Sequence, residues 1–168
     1  VLVVRHGKAR KEHLEVARDM LAGVKSTFKG EVKGEEYTVW PSQLDFSAEL
    51  TKAKNSGAES IFVFYPGAAG VQFLNQYAQA GIKAQMPLYT AFTIDELSLP
   101  LQKENALGVP GAQEWVNDLP NAENKKFVAA FKAKYKKPPE NQGSPAWKAS
   151  TVPIAMARSP SMSRRSDP

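Results

Sequence analysis

Ser60-Ile61-Phe62-Val63-Phe64-Tyr65 is followed at once by Pro66-Gly67-Ala68-Ala69-Gly70. The first six residues are apolar without interruption after the serine, and they are rich in aromatic and β-branched types. A strand that alternates apolar and polar faces has one wet side. A strand that does not alternate is covered on both, as in a parallel sheet sandwiched between helices. Pro66-Gly67 ends the run, because proline cannot continue the ladder and glycine opens a turn. The run is therefore read as the central, buried strand of the chain.

The pattern repeats outward from this stretch. Before it, Asp45 is expected to cap a helix that turns Phe46, Leu50 and Ala53 inward and stops at Ser56-Gly57. Earlier still lie a short strand at 37–40, halted by Pro41, and a helix over 12–28. That helix would present Ala17, Leu21, Val24 and Phe28 to the core and end at Lys29-Gly30. Residues 1–4 read as a strand. After it, a helix carries Val71, Leu74, Tyr77 and Ala78 on one side and ends at Gly81. Met86–Tyr89 reads as a strand, and Asp95 as the cap of a short helix reaching Leu99. Residues 107–109 and 112–116 look extended. A last helix begins at Asn121 or Glu123 and stacks Phe127, Phe131 and Tyr135 at i, i+4 and i+8. Strands alternating with helices of roughly ten to fifteen residues indicate βαβ units and a parallel sheet. In such sheets ligands sit beyond the carboxyl ends of the strands.

Composition narrows the chemistry. The chain has 168 residues, enough for one domain with its own core. It contains no cysteine, which removes disulfides, thiolate nucleophiles and zinc–thiolate sites. Two histidines, His6 and His13, leave little for a histidine metal site. No cofactor is expected. The formal net charge of +5 comes from scattered lysines and arginines, read as solvated helix faces rather than a nucleic-acid surface. No run of about 18 apolar residues is present to span a bilayer. Residues 151–168, rich in Ser, Pro and Arg, lack any period and are expected to be disordered.

Arg5-His6-Gly7 at the end of an apolar strand resembles the phosphate-accepting triplet of the histidine phosphatases. That pocket also needs a second arginine and a second histidine from distant parts of the chain. Between Asp19 and Ala157 there is neither. A phosphotransfer enzyme using His6 stands as the alternative reading.

The ordered succession QLDFSAELTKAKNSGAESIFVF (43–64), YPGAAG (65–70), FLNQYAQAGI (73–82), PLYT (87–90), LGVPGAQEW (107–115) and NKKFVAAFKAKYKKPP (124–139) is more specific. It resembles the second lobe of the type I periplasmic substrate-binding proteins of branched-chain amino-acid-type ABC transporters. The resemblance covers residues 19–147, about three quarters of the chain. It departs from the family over the first 18 residues and after Ser144. It implies a three-layer, Rossmann-like α/β lobe over 1–147, an irregular tail over 148–168 and a first lobe not included in the sequence. It also implies a non-enzymatic, periplasmic protein that hands a small carboxylated solute to a membrane permease, its signal peptide lying outside the sequence.

By position in that family, the ligand loops are Tyr65, Pro66, Gly67, Ala68 and Ala69, then Thr90, Ala91 and Phe92. Gly67 lets a backbone approach closely, and the helix after it offers free N–H groups to a carboxylate. Tyr65 and Phe92 would cover an apolar or aromatic ligand. Amino-acid binders of the family hold the ammonium with an acid near the second loop. Ala91 stands there, which shifts the expected ligand towards an amide or an aromatic or aliphatic carboxylate. Gln113 and Glu114 read as solvated strand residues at the rim, and Trp115 as core.

Overall fold

In a computed structural model of the chain, residues 2–7, 11–39 and 42–139 are described, of which 2–7, 11–14, 16 and 17 by backbone alone. The elements run β1 (Leu2–Gly7), α1 (Lys11–Thr27), β2 (Gly34–Val39), α2 (Ser47–Asn55), β3 (Ile61–Phe64), α3 (Ala68–Gln79), β4 (Leu88–Ala91), α4 (Leu99–Gln102), a 3₁₀ turn (Lys103–Ala106), β5 (Gly111–Ala112) and α5 (Ala122–Tyr135). Five parallel strands form one sheet in the order β2-β1-β3-β4-β5. The expected α/β architecture is present, and β3 is its middle strand.

Alternate residues of β3 serve two layers, as the period of two in a strand requires. Ile61, Val63 and Tyr65 join Phe46, Leu50 and Ala53 of the α2 segment and Phe73, Leu74 and Tyr77 of α3 in one core. Phe62 and Phe64 belong to the opposite face, with Ala91, Ala112 and Met20 of α1. Helices thus cover the sheet from both sides, which is why no polar residue interrupts 61–64.

The expected elements shift in several places. β1 does not end at residue 4. Its ladder continues through Arg5, paired with Tyr37 and Phe64, and through His6 and Gly7, paired with Thr38 and Val39. The triplet is therefore part of the strand, not a turn after it. β4 begins and ends two residues later than expected, so that Thr90 and Ala91 are strand residues. Of the stretch 112–116 only Ala112 is in a strand, paired to β4 as part of β5. Phe28, expected inside, is 42% exposed because α1 ends at Thr27 and the ring folds back over Gly30. Residues 140–168, including the expected tail, lie outside the described residues.

Phe46, not the expected Asp45, is the N-cap of α2, and no side chain caps the helix. The residue before it, Asp45, instead closes a local turn. Its Oδ1 accepts the Ser47 N–H at 3.0 Å, and the amide and hydroxyl of Ser47 hold the carboxyl below its usual range. Gln76 of α3 closes the same corner. Its Oε1 accepts the Phe46 N–H at 2.7 Å, and its Nε2 donates to the Leu44 carbonyl at 2.7 Å.

Tyr77 is almost wholly buried and donates to the Met86 carbonyl at 2.6 Å. Burial pushes its phenol up to about 12. Between the unfolded value near 10 and that folded value, the native state holds the proton that the unfolded chain releases. The Tyr77 contribution is therefore complete below about pH 10 and falls as the pH rises towards 12. Urea midpoints measured across this window should decline more steeply for the wild type than for Tyr77→Phe. Parallel declines would reject this account.

Candidate functional site

The order of the strands marks one place where the chain changes direction. From β1 it passes to β2 on one side, then returns across β1 to β3 and continues to β4 and β5. At such a switch point the connections diverge and leave a crevice at the carboxyl ends of the strands. The β3–α3 loop opens on it.

That loop is Tyr65, Pro66 and Gly67. Gly67 has φ 70° and ψ −143°, a region that only glycine adopts at little cost. This turn points α3 back over the sheet. The first bond of α3 runs from the Val71 N–H to the Gly67 carbonyl at 3.2 Å. The amides of Ala68, Ala69 and Gly70 therefore precede the helical ladder, and no side chain caps them. Gly70 packs closely beneath: a Cβ there would stand 2.1 Å from the Tyr65 carbonyl oxygen.

Tyr65 itself turns inward. Its ring is fully buried, 5.0 Å from Phe46 and 5.4 Å from Phe73, and its hydroxyl shares a 2.8 Å hydrogen bond with Thr38. Burial raises its pKa strongly. The ring supports the loop from the core rather than covering a ligand, because its strand position faces α2 and α3.

At the end of β4, Thr90 and Ala91 are also buried, and Thr90 donates to the Pro110 carbonyl at 3.2 Å. Phe92 follows with φ 54°, a left-handed conformation that is costly for a bulky residue. Its ring is half-buried and meets Phe64 edge-on at 6.0 Å. Thr93 then bridges the loops. Its hydroxyl accepts the Tyr65 N–H at 3.1 Å and donates to the Ala91 carbonyl at 3.1 Å.

Neither loop carries a charged residue from 65 to 70 or from 90 to 94. The nearest acid in sequence, Asp95, is occupied. Its Oδ1 accepts the N–H groups of Leu97 and Ser98 at 3.0 and 2.7 Å. A helix amino end whose first amides no side chain caps, with no acid in either loop, favours an anion. Among the described residues, no cluster of His, Asp or Glu is arranged to hold a metal ion.

The family model for periplasmic binding proteins matches residues 13–157. The chain belongs to this family. The Leu/Ile/Val-binding protein homolog 6 of Brucella melitensis is 34% identical over 87 residues, 50% of this chain and 22% of that protein. A solute-binding protein of an R. palustris ABC transporter, solved with benzoate, is 27% identical with a TM-score of 0.71. It is covered to 40% by 88% of this chain. A second, from Rhodopseudomonas palustris BisB5 and solved with 3,4-dihydroxybenzoic acid, is 27% identical with a TM-score of 0.65. It is covered to 38% by 83% of this chain. The chain thus spans about a fifth of the curated relative and about two fifths of the solved structures it matches. The phosphatase reading of Arg5-His6-Gly7 falls with this assignment.

The two expected loops are neighbours in this periplasmic binding protein family member, since Phe64 pairs with Ala91 across β3 and β4. Gln113 lies behind them and donates to the Ile94 carbonyl at 2.5 Å. Trp115 is core, as expected, with its indole N–H on Asn124 Oδ1 at 2.8 Å. The packing roles of Thr93, Gly70 and Gln102 leave no sign in the sequence. A lone threonine after a strand or a lone glutamine at the end of a short helix carries no periodic signal, and Gly70 lies inside a helical pattern, where only the packed fold reveals its neighbours.

Proposed function

We propose that this chain is the second lobe of a periplasmic solute-binding protein that delivers a small carboxylated molecule to the permease of an ABC transporter. The ligand is an aromatic acid rather than an α-amino acid. It lies between this lobe and a first lobe of the same protein, and hinge closure of the two produces the form that the permease recognises. The carboxylate meets the amides of Ala68, Ala69 and Gly70. Pro66 and Gly67 shape the turn, Phe92 lies against the ring, and Tyr65, Thr90 and Ala91 hold the loops from within. No bond is made or broken, no cofactor or metal takes part, and nucleic acid is not a partner.

The observation that carries this reading is the uncharged pair of loops beside an uncapped helix amino end, in a chain of this family. The benzoate and dihydroxybenzoate held by the two R. palustris proteins support the aromatic choice. An α-amino acid would need an acid for its ammonium, and Asp95 is engaged in capping its own turn.

The chain is titrated with benzoate and, separately, with isoleucine, following amide shifts by NMR. Benzoate should move the amides of 67–70 and 91–93 weakly, because one lobe encloses only one side of the ligand. Isoleucine should move them less. Shifts confined to other surfaces would overturn the site, and a stronger isoleucine response would overturn the aromatic assignment.

A further inference from the structure

We propose that Thr93, which touches no ligand in this reading, is the positioning residue that locks the two ligand loops into one register. The inference rests on the proposed site and adds a residue to it. Four contacts converge on Thr93. Its hydroxyl has one proton and acceptor capacity to spare, and both are used. It takes the Tyr65 N–H from the β3 side and gives its proton to the Ala91 carbonyl on the β4 side, each at 3.1 Å. Its methyl group lies where a Cβ on Gly70 would be 2.9 Å away, so it bears on the first turn of α3. Its carbonyl accepts Gln102 Nε2 at 2.8 Å, which ties the same residue to the far end of the β4 connection.

The geometry gives the bridge a specific task. Beyond Phe64 and Ala91 the β3–β4 ladder stops. Tyr65 and Phe92, the next residues, have no mutual backbone pairing to fix them. Phe92 is bonded outward instead, its N–H donating to the Ala112 carbonyl at 3.1 Å. The Thr93 hydroxyl replaces the missing rung. It joins the peptide from which the α3 amides spring to the strand end from which Phe92 leaves with φ 54°. Thr93 is 1% exposed, so water does not substitute for its hydroxyl. The anion-binding amides and the aromatic cover are thus held at a fixed separation by one side chain, and that separation selects ligand length.

The test compares Thr93→Val, which keeps the methyl and the shape but removes the hydroxyl, with Thr93→Ser, which keeps the hydroxyl and removes the methyl. Two measurements are made on the full chain. Amide hydrogen exchange should show the Tyr65 N–H opening about tenfold or more faster in Thr93→Val, with Tyr77 and Leu88 unchanged, and near wild-type rates in Thr93→Ser. Benzoate titrated by NMR should bind Thr93→Val at least about fivefold more weakly, with the shifts at 67–70 and at 91–92 no longer saturating together. Thr93→Ser should restore both. Unchanged Tyr65 exchange in Thr93→Val would overturn the bridge whatever benzoate does. Faster exchange with unaltered benzoate affinity would overturn the positioning role. Absence of any benzoate response in the wild type would instead overturn the site on which the role depends, and the exchange result would separate the two failures.

Discussion

Gly70→Ala should lose about 3 kcal/mol of stability or more, and much of the chain should fail to fold at ordinary temperature. In a helix this substitution usually helps, by roughly 0.5–1 kcal/mol, because alanine has less backbone freedom to lose. Here the new methyl group would stand 2.1 Å from the Tyr65 carbonyl oxygen, 2.9 Å from the Thr93 methyl and 3.2 Å from the Thr93 carbonyl oxygen. Two of these neighbours are backbone atoms at strand ends and cannot rotate away. The first turn of α3 would have to lift off the sheet, opening the core at Ala69 and Phe73. Gly23→Ala is the internal control. Gly23 is exposed within α1 with nothing inside 4 Å of its missing Cβ, so it should gain what Gly70 cannot. Urea unfolding of both variants decides it. A Gly70→Ala chain as stable as wild type would mean that α3 does not pack as described.

The contrast between these two glycines shows what the sequence could and could not convey. Both lie in helical patterns, and nothing local separates them. The strand at 61–64 was legible because burial on both faces leaves an unbroken apolar run, and the helix after it because Val71, Leu74 and Tyr77 share a face. The start of α2 was legible to within one residue, because Asp45 makes a local turn with the Ser47 N–H, although the cap itself is Phe46. β4 was misplaced by two residues, since Met86 and Pro87 are apolar enough to extend the pattern while the ladder partner that sets its start lies at Ile61. Tyr65 was read as ligand cover from its place after a strand. Its partners Thr38 and Phe46 are distant in sequence and came from elements whose packing no period reveals. The proposed site was expected as two loops, through family resemblance and strand-end position. Its internal fastening by Thr93 was not, because a hydrogen bond spanning 28 residues leaves no mark on either segment.

Phe73→Ala should cost about 3–5 kcal/mol, the range for emptying a fully buried aromatic site. Phe73 has no exposure, and its ring lies 5.3 Å from Phe46 and 5.4 Å from Tyr65. The three rings belong to the α2 cap, the β3 end and α3, so each element's placement depends on the others. Removing the Phe73 ring leaves a cavity beside side chains that cannot both move inward, because Phe46 is anchored through its N–H to Gln76 and Tyr65 through its hydroxyl to Thr38. Against a domain stability of about 5–15 kcal/mol, such a loss is a large fraction of the whole. Phe73→Leu retains much of the volume and should cost clearly less than the alanine. Tyr135→Ala, at a site 52% exposed on α5, should change stability by no more than about 0.5 kcal/mol. Urea midpoints with a common slope give all three values. Loss of the cluster should also loosen the ligand loops, since Tyr65 is both the partner of Phe73 and the residue from which the β3 loop departs. Benzoate shifts at 67–70 should therefore weaken in Phe73→Ala under conditions where the chain is still folded. A Phe73→Ala chain within about 1 kcal/mol of wild type would show that this triad is not the core that positions the site.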